Sequence, residues 1–208
     1  HFLTSLLFLL FFSNTRAQNL YLTCIGASEN ETKSIDSLGY AKLFEDYSTL
    51  DAEVSNLRKK LIKIGYIETK QNNFIKQNDS TYQANFSLKN KYESITVEHQ
   101  NLVSLPILKL TGFLDHNNDL VIPIAAIETT LNFINSELAN KGNPFSSLIL
   151  TDIIKKDNRN LRGSLSVSNL NSRTIDKFVL KGYENFPKSF IKRYLKIKTG
   201  QTFSLEKI

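Results

Sequence analysis

VSNLRKKLIKIG, residues 54–65, places Val54, Leu57, Leu61 and Ile64 at the three- and four-residue steps of one helix face. Leu50 extends that face backward by one turn, Ser48 or Thr49 can cap its start, and Gly65 stands where a left-handed stop is needed. The pattern returns seventy-seven residues later in LNFINSELANKG, residues 131–142. Leu131 answers Val54, Ile134 answers Leu57, Leu138 answers Leu61 and Gly142 answers Gly65, with Pro123 placed where a helix could begin. The stretches beyond the two glycines also correspond. After Gly65 come an apolar stretch from Tyr66 to Ile75, a turn at Gln77-Asn78-Asp79-Ser80, and an alternating strand through Tyr82, Ala84, Phe86 and Leu88. After Gly142 come Leu148 to Ile154, a turn at Lys155-Lys156-Asp157-Asn158, and Leu161, Gly163, Leu165 and Val167. Each unit therefore reads helix, strand, turn, strand. Alternation means that one sheet face is buried and the other wet, and the amphipathic helix just before it is the natural cover.

The chain of 208 residues is 41% hydrophobic and 22% charged, with 14 Phe and 8 Tyr. That is globular composition, which excludes a disordered tail, a polytopic membrane protein, collagen and a disulfide scaffold. Phe2–Phe12 is broken only by Thr4 and Ser5 and is followed by Ser13-Asn14-Thr15-Arg16-Ala17. It matches the apolar core of a signal peptide with a small residue before the cleavage point, so residues 1–17 are expected to be an export leader. Cys24 stands alone, which rules out an intramolecular disulfide. Tyr21-Leu22-Thr23 is a poor approach to a lipidated cysteine, and a small buried side chain on a strand is expected there.

A third unit opens at Thr174. Ile175, Phe178 and Leu180 make a short strand ending at Gly182, and Asn185 and Pro187 introduce a helix with Phe190, Ile191, Tyr194 and Leu195 on its apolar face. Residues 173–208 hold nine basic against three acidic residues, a local charge of +6. Lys188, Lys192, Arg193 and Lys196 form a basic patch that could steer an anionic surface, or simply be the solvated face of that helix. No aromatic-and-basic groove accompanies it, and nucleic acid is not an expected partner.

Motifs for chemistry are missing. The eight glycines are never closer than thirteen residues, which excludes G-x-G-x-x-G, the P-loop and G-x-S-x-G. With one Cys, and with His99 and His116 alone after the leader, no structural zinc set is expected. Asp115-His116-Asn117-Asn118-Asp119 starts like a calcium loop, but Leu120 stands where glycine is required and Ala126 where glutamate is, so a polar turn is expected. No catalytic residue, metal or cofactor is expected.

The last residues carry a resemblance. Ile175 to Gly182, Phe190 to Leu195, and the pattern L-x-I-x-x-G-x-x-F at Leu195, Ile197, Gly200 and Phe203 resemble the opening of a POTRA (polypeptide-transport-associated) domain. Upstream, LRKKLIKIGYIETK (residues 57–70) looks like the second helix and second-strand entry of such a domain, and INSELANKGNPFSS (residues 134–147) is similar. Residues 98–122 and the stretch before Thr49 show no clean first helix. The resemblance implies an α+β fold of tandem small domains, each with two helices on a three-stranded mixed sheet: residues 18–91, residues 92–172, and the start of a third at 173–208. It implies the periplasmic part of an outer-membrane protein of the BamA and TamA type or of a two-partner secretion transporter. Its partners would be unfolded outer-membrane or secreted client proteins, its own C-terminal β-barrel, and accessory periplasmic or lipoprotein subunits. By the family's strand order the second strand of each unit is the free edge. The client-binding residues would then be Tyr66, Ile67, Thr69, Phe74 and Ile75 in the first unit, and Leu148, Ile149, Leu150 and Ile153 in the second. Extended polypeptides would add there by β-augmentation. The alternative is a spacer or adaptor beside a different effector, such as a hydrolase.

Overall fold

A computed structural model describes residues 19–177, 179, 194 and 198–207. The leader and the four basic residues Lys188, Lys192, Arg193 and Lys196 lie outside the described residues. Contacts divide the chain into two units, between Lys91 and Tyr92.

The first unit runs β1 (Leu20–Gly26), α1 (Glu29–Ser37), β2 (Leu43–Phe44), α2 (Tyr47–Lys63), β3 (Lys70–Lys76) and β4 (Thr81–Ser87). The second repeats that order with β5 (Ser94–Glu98), α3 (Leu105–Leu110), β6 (Leu120–Pro123), α4 (Ile127–Asn140), β7 (Ser147–Lys155) and β8 (Asn160–Ser168). A 3-10 turn, Ile124–Ala126, stands between Pro123 and α4. The strand orders are β2-β1-β4-β3 and β6-β5-β8-β7. In each sheet the two central strands pair in parallel and the outer strands are antiparallel to them. The α+β architecture of helices on mixed sheets is as expected, with one addition. Each sheet carries a fourth strand, β2 or β6, too short to leave an alternating pattern.

The helix faces predicted from spacing are the buried ones. Leu50, Val54, Leu57 and Leu61 of α2 are each at most 1% exposed. They meet Leu22, Cys24, Ala84, Phe86 and Leu88 in the first core. Removing a leucine side chain from water contributes roughly 1.5–3 kcal/mol, so this one stripe outweighs any local propensity. On α4, Ile134 and Leu138 are buried and Leu131 packs, partly buried, against the second core, which includes Ile95, Val97, Leu161 and Leu165. The start of α2 is set by Asp46 rather than by Ser48 or Thr49: the Asp46 carboxylate accepts the Thr49 N–H at 2.8 Å.

Both helices end alike. Gly65 has φ +112° and Gly142 φ +97°. Tyr66 N–H reaches back to Leu61 O at 3.0 Å and Gly65 N–H to Ile62 O at 3.1 Å. Asn143 N–H reaches Leu138 O at 2.9 Å and Gly142 N–H reaches Ala139 O at 3.0 Å. This is the Schellman pattern, in which a left-handed residue turns the chain out of the helix and satisfies its last carbonyls. It aims the chain from each helix end towards the outer strand of its own sheet.

Two open sheet edges as the candidate functional site

β3 pairs only with β4, and β7 only with β8, so each sheet ends on a strand with one flank open among the described residues. On that flank, main-chain N–H and C=O groups face outward, ready to receive another extended chain. The opposite edges are β2, two residues long, and β6, four residues ending in Pro123. A proline has no N–H to offer a ladder, so the longer edges β3 and β7 are the ones able to add a strand.

The residues expected on these edges divide by position. Tyr66, Ile67 and Thr69, expected on the strand, lie instead in the turn ahead of β3, which begins at Lys70. Thr69 is buried, and its hydroxyl donates to Tyr66 O at 2.7 Å, so it braces the turn. Tyr66 packs against the first core and places its hydroxyl 3.2 Å from Ser34 Oγ. The cause is the Schellman exit, which needs several residues to turn before the ladder can start. Phe74 is on β3 and faces inward, with ring centroids 5.8 Å from Tyr47 and 5.6 Å from Tyr82. Ile75 faces outward opposite Gln83. On β7, Leu148 and Leu150 pack against the second core, while Ile149 and Ile153 are exposed.

Both edges are also kinked. The register of β3 against β4 gains a residue between Gln71 and Asn73, and that of β7 against β8 gains one between Thr151 and Ile154. Asp152, inside the second bulge, has φ +52°. A bulge leaves a residue unpaired and bends its strand, so the regular pairing surface is Asn73–Lys76 on β3 and Ser147–Thr151 on β7. Sequence reasoning missed both bulges. The second left a trace in SLILTDIIK, where Leu148 and Leu150 alternate but Ile153 and Ile154 are adjacent. Gly163 completes that bulge: a Cβ there would sit 3.2 Å from both Thr151 O and Ile95 Cδ1.

The wet faces differ in chemistry. Behind β3, Gln77 donates to Gln83 at 2.6 Å and Gln83 to Asn85 at 2.8 Å, forming an amide ladder. A shallow hollow lined by Arg58, Lys70, Gln71 and Asn72 lies at the start of that strand. Beside β7, Arg162 pairs with Glu98 across β8 and β5.

Cys24 lies on β1 as expected, 1% exposed. Burial pushes its thiol up to about 12, so the reactive thiolate is suppressed. Asp115 Oδ1 accepts the N–H groups of Asn117 at 2.8 Å and Asp119 at 2.7 Å, which makes the calcium-like segment a turn closed on its own backbone. Among the described residues no three His, Cys, Asp or Glu side chains gather where a metal could be held. None of the described helices is long and apolar enough to cross a membrane.

No protein-family model and no curated protein sequence matches the chain. Solved structures do match. The crystal structure of Haemophilus influenzae BamA POTRA3-5 superposes with a TM-score of 0.60 at 11% identity, covering 94% of this chain and 84% of that one. BamA from Haemophilus ducreyi lacking POTRA domains 1-3 matches at 13% identity over 75% of this chain and 30% of that one, with a TM-score of 0.44. The first superposition, the repeated order of helices and strands, and the parallel centre of each sheet agree: this chain has the fold of tandem POTRA domains.

Proposed function

We propose that this chain is the periplasmic POTRA region of an outer-membrane protein assembly or translocation factor. Exported behind its leader, it works without catalysis, binding unfolded clients by β-augmentation on β3 and β7 and passing them to a C-terminal β-barrel of the same protein. The observation that supports this most directly is the pair of long outer strands with an open flank, one in each unit. Such an edge reads backbone more than side chains, which suits a receptor for many different barrel strands. The basic patch at Lys188, Lys192, Arg193 and Lys196 then suits an anionic surface, such as lipid headgroups or a barrel rim, and accessory subunits are further partners on this reading.

One observation favours the spacer or adaptor reading instead. A bulge on each open edge is a device by which sheet proteins discourage unwanted pairing. Titrating the isotope-labelled chain with a denatured outer-membrane barrel peptide separates the two. Client binding predicts that amide signals of Asn73–Lys76 and Ser147–Thr151 shift and gain exchange protection while α2 and α4 stay unchanged. Shifts confined to helix surfaces, or none, would leave the spacer reading standing.

A further inference from the structure

We propose that the C-terminal end of α4 is a built socket for the chain segment after β8, and that Gly142 is the residue that lets it close. Residues 172–175 and 198–206 form a small antiparallel clip. Thr174 bridges Thr202, Ile175 N–H donates to Gln201 O at 2.9 Å, Gly200 N–H to Ile175 O at 2.8 Å, and Phe203 N–H to Arg173 O at 2.8 Å. The clip is seated at three points. Arg173 N–H donates to Gly142 O at 2.7 Å. Glu206 N–H donates to Asn140 Oδ1 at 3.0 Å. The Arg173 guanidinium lies 5.8 Å from the centre of the Phe145 ring, which otherwise stands exposed just ahead of β7.

Gly142 serves two demands at once. Its φ of +97° ends the helix, and a Cβ on it would lie 2.5 Å from Thr202 Cγ2 and 2.7 Å from Ser172 Oγ. The helix stop accounts for the first; the second comes from the docked segment, whose Thr202 and Ser172 side chains would have to turn aside to admit a Cβ. Ser204, between Phe203 and Leu205, is only 8% exposed. Because the clip joins residue 174 to residue 202, both ends of the intervening chain leave from one anchored point. The socket thus fixes where that intervening chain departs and returns relative to β7, and it does so whether or not the edges bind clients.

Hydrogen exchange on the full chain tests this. In the wild type, the Arg173, Phe203 and Glu206 amides are protected. Asn140→Ala, which favours the helix, removes the acceptor for Glu206 and speeds that amide by about tenfold, the worth of one hydrogen bond. Gly142→Ala speeds Arg173 and Phe203 at least as much. Leu150 and Leu165, inside the β7–β8 ladder, keep their rates in Asn140→Ala. Should Gly142→Ala speed the ladder as well, Asn140→Ala decides. Unprotected amides at Arg173, Phe203 and Glu206 in the wild type, or rates unchanged by Asn140→Ala, would overturn the proposal.

Discussion

β3 and β7 hold the same place in their sheets and are built from opposite materials. β3, KQNNFIK, is polar along its length, and its one large apolar side chain that faces the core, Phe74, is gathered between Tyr47 and Tyr82. β7, SLILTDIIK, is two residues longer and leaves Ile149, Ile153 and Ile154 more than half exposed. The bulge comes near the start of β3 and past the middle of β7. Fold and edge chemistry are therefore set by different residues. The inward-facing residues fasten each outer strand to its core, and the outward-facing residues are where the two edges differ.

The first helices show the same division. α1 buries only Ile35 and is held by polar clamps: Ser28 Oγ accepts the Glu31 N–H at 3.3 Å, and the Glu31 carboxylate accepts from Ala27 N–H at 2.9 Å and Leu88 N–H at 3.1 Å. α3 has no side-chain cap, begins with Pro106 in its first turn, and buries Ile107 and Leu108 within six residues.

The largest effect is expected at the apolar stripe of α2. Leu57→Ala should cost about 2–5 kcal/mol and, in hydrogen exchange, release the amides of β1, β3 and β4 while those of β5 and β8 keep their protection. Release of both sets together would show that the two units fold as one. A smaller loss, about 1–3 kcal/mol, is expected from Glu31→Ala, because the buried Leu88 N–H loses its acceptor. Chemical denaturation of the first unit measures it, and Ser104→Ala, at the uncapped start of α3, should cost the second unit almost nothing.

Ile149→Lys sharpens the contrast between edges. Stability should stay within about 0.5 kcal/mol, but self-association on refolding, followed by light scattering, should fall, since lysine on an edge strand discourages pairing. Ile75→Lys on the already polar β3 should change scattering little. The smallest effect concerns the β7–β8 turn. Asn160's side chain and the N–H groups of Arg159 and Asn160 hold the Asp157 carboxyl below its usual range. A depressed carboxyl lends stability above the ordinary aspartate range and loses it as pH falls through the lowered value. Asp157→Asn should therefore lower the stability of the second unit slightly near neutrality and flatten the acid side of its curve, so that variant and wild type converge at low pH.

Much of this was legible in the chain itself, for a physical reason. α2, α4, β4 and β8 each present a repeating apolar face, and Leu57, Ile134, Phe86 and Leu165 carry that repeat plainly. Both helix stops were legible because Gly65 and Gly142 are the residues a left-handed exit favours. α1 was hidden because Glu29–Ser37 has almost no apolar stripe, its stability coming from Ser28 and Glu31 instead. α3 was hidden because it is short and carries a proline. β2 and β6 are too brief to show a period. The strand entry was set too early at Tyr66 because apolar residues there pack against the core from a turn, and pattern alone does not separate a turn from a strand.

The parallel centre of each sheet has a consequence for how such a chain assembles. Tyr21 lies beside Thr81, sixty residues away, and Ile95 beside Leu161. Helices and hairpins can gather locally within that span, but the middle pair closes last, since distant segments must first surrender their freedom. A polypeptide emerging with its N-terminus leading can pair β1 with the short β2 at once but holds its other flank open until β4 arrives, so each module passes through an interval in which its first strand can take a foreign neighbour.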